Sequence, residues 1–177
     1  MGNVQLKNLV AIVTGGASGI GLATCWELAR HGTNIAMLDM DTKSLENCRK
    51  AFFDKGYDIL ALECDVTSEN ACQDSINQVF NKFGQIDILF NNAGITQRGL
   101  FENTDITVIK KVMDINFFGS LYCTKAALPS LIESKGMIIV NESIAGVAPL
   151  LGRTGYSASK HALHGLFTSL RCELRHK

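Results

Sequence analysis

Proline is scarce, with two in 177 residues, and there is a single tryptophan. Neither sign of charge is in excess: Lys plus Arg and Asp plus Glu each number 17, so the net charge is zero with His neutral. That balance supplies no electrostatic footprint for nucleic acid or an anionic membrane surface, and neither is expected as a partner. Long apolar runs are missing as well. The longest, Leu9 to Val13, has five residues, against the roughly 18 that would suggest a membrane span. The amino terminus lacks the basic start, apolar stretch and small-residue cleavage site of a secretory leader. Six cysteines (Cys25, Cys48, Cys64, Cys72, Cys123 and Cys172) include no CxxC pair, which argues against a zinc site or a secreted disulfide framework. The expectation is a soluble cytoplasmic protein with free thiols and no metal.

What is present is a core-forming composition, 46% hydrophobic and 19% charged, in a length that suits one domain over 1–177. Short apolar runs recur: Leu9 to Val13, Asn34 to Leu38, Ile59 to Leu62, Ile86 to Phe90 and Met137 to Val140. Each has strand length and is bounded by Gly, Asn, Asp or Thr. Between them lie segments of helical spacing, Ile20 to His31 before Gly32, Leu45 to Lys55 before Gly56, and one after Ser68 that stops at Gly84. A longer helical region is predicted from about Asp105 to Ser134, with Pro129 and Gly136 marking its end. A last helix from Tyr156 carries Leu163, Leu166, Phe167, Leu170 and Leu174 on one face. Apolar strands alternating with helices predict an α/β fold, a doubly wound Rossmann-type parallel sheet. In such a sheet ligands sit beyond the carboxyl ends of the strands, so the residues there carry the information.

The first strand is followed by Thr14-Gly-Gly-Ala-Ser-Gly-Ile-Gly21. These glycines let the backbone turn tightly and approach a pyrophosphate, which then meets the amides at the next helix start. The spacing is GxxxGxG and no Lys-Ser or Lys-Thr follows, which excludes a nucleoside triphosphate P-loop. A ligand-free glycine turn is the plainer alternative. The second strand ends at Asp39, 24 residues after Gly15; a carboxylate there accepts from an adenosine ribose and repels a 2′-phosphate, favouring NAD over NADP. The alternative is that Asp39 merely caps the next helix. The third strand ends at Asp65-Val66 and the fourth at Asn91-Asn-Ala-Gly94. After the fifth comes Ser143, then Tyr156-Ser-Ala-Ser-Lys160. Tyr156 and Lys160, spaced i, i+4, share a helix face. An ammonium beside a phenol stabilises phenolate, which suits proton transfer in an alcohol–carbonyl conversion. Taken alone, the pair also reads as an ordinary exposed tyrosine with a solvated lysine one turn on.

Together with Asn116, these motifs resemble the classical short-chain dehydrogenase/reductase (SDR) family from about Lys7 to the last residue. The spacings, 27 residues from Asn116 to Ser143, 13 to Tyr156 and 4 to Lys160, are ones the family shows. The resemblance implies Tyr156 as general acid/base, Lys160 lowering its pKa and holding the nicotinamide ribose, Ser143 orienting the substrate oxygen, and Asn116 anchoring a proton-relay water. It implies Gly15, Ser18, Gly19 and Gly21 around the pyrophosphate and Ile20 near the nicotinamide. Asp65 and Val66 would contact adenine, with Asn91, Ala93 and Gly94 along the cofactor cleft. The implied activity is an NAD(P)-dependent interconversion of a secondary alcohol and a ketone, in a homodimer or homotetramer built on the two long helices.

Two departures stand out. Glu142 replaces a small residue before Ser143, either perturbing Tyr156 or pointing away. The sequence also ends with the helix after the fifth strand, where the family continues through further strands, so a fragment is expected, the alternative being a short chain that needs another subunit to complete its sheet. A non-catalytic dinucleotide sensor or scaffold, or an inactive fragment, is the competing reading. No GxSxG elbow surrounds Ser143, which speaks against a hydrolase. His161 and His164 share a face but have no evident third ligand. The segments Ile95 to Phe101 and Val147 to Thr154 should flank the substrate, and their apolar residues suggest a hydrophobic one, steroid, lipid-derived or acyl-chain. Arg98 and Arg153 there offer an alternative, a carboxylate or phosphate.

Overall fold

The computed structural model describes residues 5–176; Lys177 and the first four residues, on which part of the leader reading falls, lie outside it. Five strands, β1 (Val10–Thr14), β2 (Asn34–Asp39), β3 (Ile59–Glu63), β4 (Ile88–Asn91) and β5 (Met137–Val140), form one parallel sheet in the order β3-β2-β1-β4-β5. Helices α1 (Gly19–Arg30), α2 (Thr42–Phe53), α3 (Glu69–Phe83), α4 (Ile106–Met113), α5 (Gly119–Glu133) and α6 (Thr154–Leu174) complete the α/β architecture. The strand order reverses between β1 and β4, which opens a crevice at their carboxyl ends.

β1 is buried at every position and accounts for the sheet's centre. One face carries α1 and α2, where Cys25, Ala29, Leu45, Cys48 and Phe52 pack on Ala11, Val13, Ile35 and Met37. Phe52 is fully buried and stacks on Trp26 with ring centroids 3.6 Å apart. The other face carries α3 and α5, through Cys72, Ile76, Val79, Cys123, Ala127 and Leu131. Local chemistry sets the helix ends. Asp41 caps α2 by accepting from the Ser44 amide at 3.0 Å, Ser68 caps α3, and Gly84 closes α3 at φ 76°.

Two expectations need correction. Pro129 does not end a helix; it lies inside α5, which runs on to Glu133. A proline there forfeits the bond to the Lys125 carbonyl, but Lys125 and Pro129 are both exposed, so the loss falls on the solvent side of the helix. The predicted rod is also interrupted, by a π-turn at Asp114–Phe118 that joins α4 to α5. On α6 only Leu163 of the predicted apolar face is buried. Leu170 and Leu174 instead line a groove of about 920 Å³ between α5, α6 and the outer edge of β5. β5 is the last strand of the sheet, and Met137 and Ile139 remain half-exposed on it. Among the described residues no helix is long and apolar enough to cross a membrane.

Candidate active site

A cleft of about 380 Å³ opens at the carboxyl ends of β1 and β4. Gly15, Ser18, Gly19, Ile20, Asp39, Asp65, Val66, Ala93 and Gly94 line it, with Met40, Asn92 and Asn141. α1 starts at its floor without a side-chain cap, because the Ser18 hydroxyl makes no bond to the helix amides. Those N–H groups are thereby left to face whatever fills the cleft. Gly15 and Gly19 take φ of 61° and 51°, a left-handed turn that glycine adopts at no steric cost. A Cβ on Gly19 would meet no protein atom within 4 Å. Gly21 differs: it lies buried under the turn, and a Cβ there would stand 2.2 Å from the Gly15 carbonyl oxygen.

Asp39 is free of the capping duty, which Asp41 performs. Its carboxylate accepts from the Ala17 amide at 3.1 Å and the Asp41 amide at 3.1 Å, which fixes it at the cleft wall beside the glycine turn. Asp65 bends the chain after β3 by accepting from the Thr67 amide at 2.9 Å.

The side chain of Asn91 does not line the cleft, contrary to expectation. It is 2% exposed and donates to Thr124 Oγ1 at 2.8 Å, since the end of β4 turns it toward α5. Its neighbour Asn92 takes the central place. The Asn92 side chain donates to the carbonyls of Thr14 and Gly15 at 3.0 and 3.1 Å and accepts from Asn141 at 3.1 Å, knotting β1, β4 and β5 together. Thr14 Oγ1 completes the knot by accepting from the amides of Asn92 and Ala93.

None of the four proposed catalytic residues lines this cleft itself; Lys160 and Asn116 bond to its wall residues Asn141 and Ile95, and Ser143 and Tyr156 stand on the segments next to them. Lys160, only 6% exposed, donates from Nζ to the Asn141 carbonyl at 2.6 Å, and its Nζ stands 5.7 Å from the Tyr156 ring centre. Burial pushes its ammonium below the ordinary lysine value, while Glu142 pulls the other way. Asn116 sits fully buried in the π-turn. It holds the main chain of Ile95, a cleft residue, from both sides: Oδ1 accepts from the amide at 2.8 Å and Nδ2 donates to the carbonyl at 3.0 Å. Nδ2 also donates to Ser159 Oγ at 2.9 Å, and Ser159 donates to the Tyr156 carbonyl at 2.8 Å. Asn116 thus fixes the turn of α6 that bears Tyr156, and both of its amide donors are committed. Ser143 Oγ accepts from the Ala145 amide at 3.2 Å, which leaves its own proton for another acceptor. The turn it starts presses on α6, since a Cβ on Gly146 would lie 2.9 Å from the Lys160 carbonyl.

Glu142 points away from the tyrosine, to His164 Nδ1 at 3.1 Å. An acidic partner for His164 was not evident in the sequence, because 22 residues separate the two. His161 bonds the Ser157 carbonyl instead. No group of three His, Cys, Asp or Glu side chains among the described residues is placed to hold a metal ion.

Sequence reasoning missed the parts played by Asn92 and Asn141. Asn92 stands within a motif already singled out, whereas Asn141 acts partly through its carbonyl.

Comparison with known proteins bears on the family and the fold. The family profile described as short chain dehydrogenase matches residues 9–177. The mouse protein named dehydrogenase/reductase SDR family member 7 is 37% identical over 175 residues, covering 96% of this chain and 52% of the relative. An Arabidopsis thaliana protein named 11-beta-hydroxysteroid dehydrogenase-like 2 is 38% identical, covering 93% and 54%. The chain therefore spans about half the length of these curated relatives. Among solved structures, a short chain dehydrogenase/reductase from Burkholderia phymatum in complex with NAD superposes with a TM-score of 0.94 at 25% identity, over 97% of this chain and 62% of that one. NAD+-bound xylitol dehydrogenase gives a TM-score of 0.92 at 34% identity, over 97% and 67%. A profile match over nearly the whole sequence and relatives of this similarity make the chain a member of the short chain dehydrogenase family.

Proposed function

We propose that the protein is an NAD(P)-dependent oxidoreductase that interconverts a secondary alcohol and a ketone, with Tyr156 moving the proton. The observation that carries this reading is Lys160. A lysine ammonium 6% exposed, with one of its three donors used by Asn141, is held at a desolvation cost one helical turn from a tyrosine. A purely structural site has no need of such a cation.

The chain's own groups fit a dinucleotide. The open face of Gly19 and the uncapped start of α1 suit a pyrophosphate. Asp39, anchored by Ala17, suits an adenosine ribose with free hydroxyls, and its charge disfavours a 2′-phosphate; this supports NAD over NADP. When bound, the nicotinamide supplies or accepts the hydride. In the reductive direction the Tyr156 hydroxyl gives its proton to the carbonyl oxygen while Ser143 donates a hydrogen bond to that same oxygen. Lys160 stabilises the phenolate left behind, as any cation beside a phenol does. Asn116 acts by holding Ile95 and, through Ser159, the Tyr156 turn. A relay water at this point would accept no proton from the Asn116 amide nitrogen, whose two donors are spent, and would have to share either Oδ1 with the Ile95 amide or the main-chain carbonyl with Ser120 Oγ.

Exposed Ile144, Val147, Leu150 and Leu151 follow Ser143, and Leu100 and Phe101 stand on the facing loop. Such lining supports an apolar substrate, of steroid, lipid-derived or acyl-chain type. Exposed Ile106, Val108 and Phe118 on the α4–α5 rod support a homodimer or homotetramer. Mixing the protein with NADH and cyclohexanone, 2-decanone or a 3-ketosteroid, and following the near-ultraviolet absorbance of reduced nicotinamide, tests the activity. Loss of that absorbance is expected with at least one ketone. Tight NADH binding with no turnover across a wide ketone panel would instead identify a sensor.

A further inference from the structure

α6 begins without a cap of its own. Arg153 occupies the capping position and makes no side-chain bond to the helix amides. The helix-start amide of Gly155, immediately before Tyr156, donates instead to Gln97 Oε1 at 3.2 Å, across 58 residues of chain. Gln97 is 4% exposed, so this polar side chain is enclosed and its bonds are not shared with bulk water. Its Nε2 donates to the Gly99 carbonyl at 3.0 Å and to Thr104 Oγ1 at 3.3 Å, which locks the side chain to its own loop. Two more contacts run between the same segments: the Gly99 amide donates to the Gly152 carbonyl at 2.9 Å, and the Arg153 guanidinium donates to Thr96. Below the turn, a Cβ on Gly155 would lie 3.1 Å from Ile109 Cγ1, so the backbone rests directly on α4.

We propose that Gln97 is a positioning residue for Tyr156, acting as the missing cap of α6 from the loop after β4. The proposal rests on the reading that Tyr156 moves the proton. Its physical content is that the first turn of α6 carries the reacting phenol while its own cap makes no bond, so the placement of that phenol depends on a contact made by another loop. Displacement of a reacting group by about 1 Å lowers turnover by up to about a hundredfold with little effect on ground-state binding. Gln97 does not line the cleft and makes no hydrogen bond to a catalytic side chain; its bond toward α6 goes to the Gly155 amide.

Two variants separate this role from a general one. Gln97→Met keeps the length and removes every bond. Gln97→Glu keeps an acceptor for the Gly155 amide and gives up the donor to Gly99 and Thr104. With NADH and 2-decanone as probes, Gln97→Met should lower kcat about 10- to 100-fold, leaving KM and NADH affinity within about twofold. Gln97→Glu should recover kcat to within about threefold of the wild type. Amide hydrogen exchange over residues 154–157, measured without cofactor, should accelerate in Gln97→Met and stay near wild type in Gln97→Glu. Unchanged kcat or unchanged exchange in Gln97→Met would overturn the proposal, as would equal loss in both variants, which would assign Gln97 to the loop alone. Turnover that survives Tyr156→Phe would instead refute the underlying reading, and the exchange rates would still decide whether Gln97 holds the turn.

Discussion

Gly19 and Gly21 stand two residues apart and should fail in opposite ways when changed to alanine. At Gly19 the added methyl meets no protein atom within 4 Å, so the cost to the fold is the left-handed φ of 51° alone. That strain is about 1–2 kcal/mol. For a chain of this size it lowers Tm by about 2–8 °C. The same methyl projects into the space where a pyrophosphate must approach the turn, so NADH affinity should fall at least about tenfold, or 1.4 kcal/mol. At Gly21 the methyl would stand 2.2 Å from the Gly15 carbonyl oxygen and 2.7 Å from Asn92 Nδ2. Neither neighbour can give way without breaking the knot between β1 and β4. Overpacking commonly costs about 1–3 kcal/mol, and contact with fixed backbone belongs at or above the upper end. Tm should then fall by about 6–12 °C. Thermal unfolding and NADH fluorescence titration, run on both variants, separate the two effects. The reasoning is refuted if Gly19→Ala binds NADH as the wild type does, or if Gly21→Ala unfolds at the wild-type temperature.

Two further expectations concern charge. Asp39→Ser removes the carboxylate that a 2′-phosphate would meet, so the ratio of NADPH to NADH affinity should rise at least about tenfold in paired titrations; an unchanged ratio would remove Asp39 from the ribose site. Lys160 has a folded pKa below its unfolded value of 10.5 because burial disfavours its charge. Between those two values the unfolded chain binds more protons, so stability rises with pH through that window. The unfolding free energy of the wild type relative to Lys160→Met should therefore improve as pH is raised from neutral toward 10.5. Urea titrations at both ends check this, and a flat difference would mean that the ammonium is not desolvated.

The central strands were legible because burial on both faces demands an unbroken apolar run, as at Val10–Val13 in β1 and Ile35–Leu38 in β2. The pairing of Tyr156 with Lys160 was legible for a related reason: the two are one helical turn apart, and local geometry alone brings them together. Pro129 misled because a proline signals a missing donor, and the sequence does not say whether the orphaned carbonyl faces water. Period-two alternation foretells that Asn91 and Asn92 point opposite ways, yet which one enters the cleft depends on how β4 is seated against α5. Glu142 was undecidable for the same kind of reason, its direction being set by a histidine on α6. Gln97 was invisible, since its whole role is a contact with Gly155 that only the packing of two distant loops creates.

Tyr156→Phe offers the most direct measurement, with NADH binding and ketone reduction recorded on the same sample. The phenyl ring keeps the packing beside Lys160 and removes only the hydroxyl, so affinity for NADH should stay within about threefold while turnover falls by at least about a hundredfold. Reduction at the wild-type rate by this variant would show that the proton comes from elsewhere.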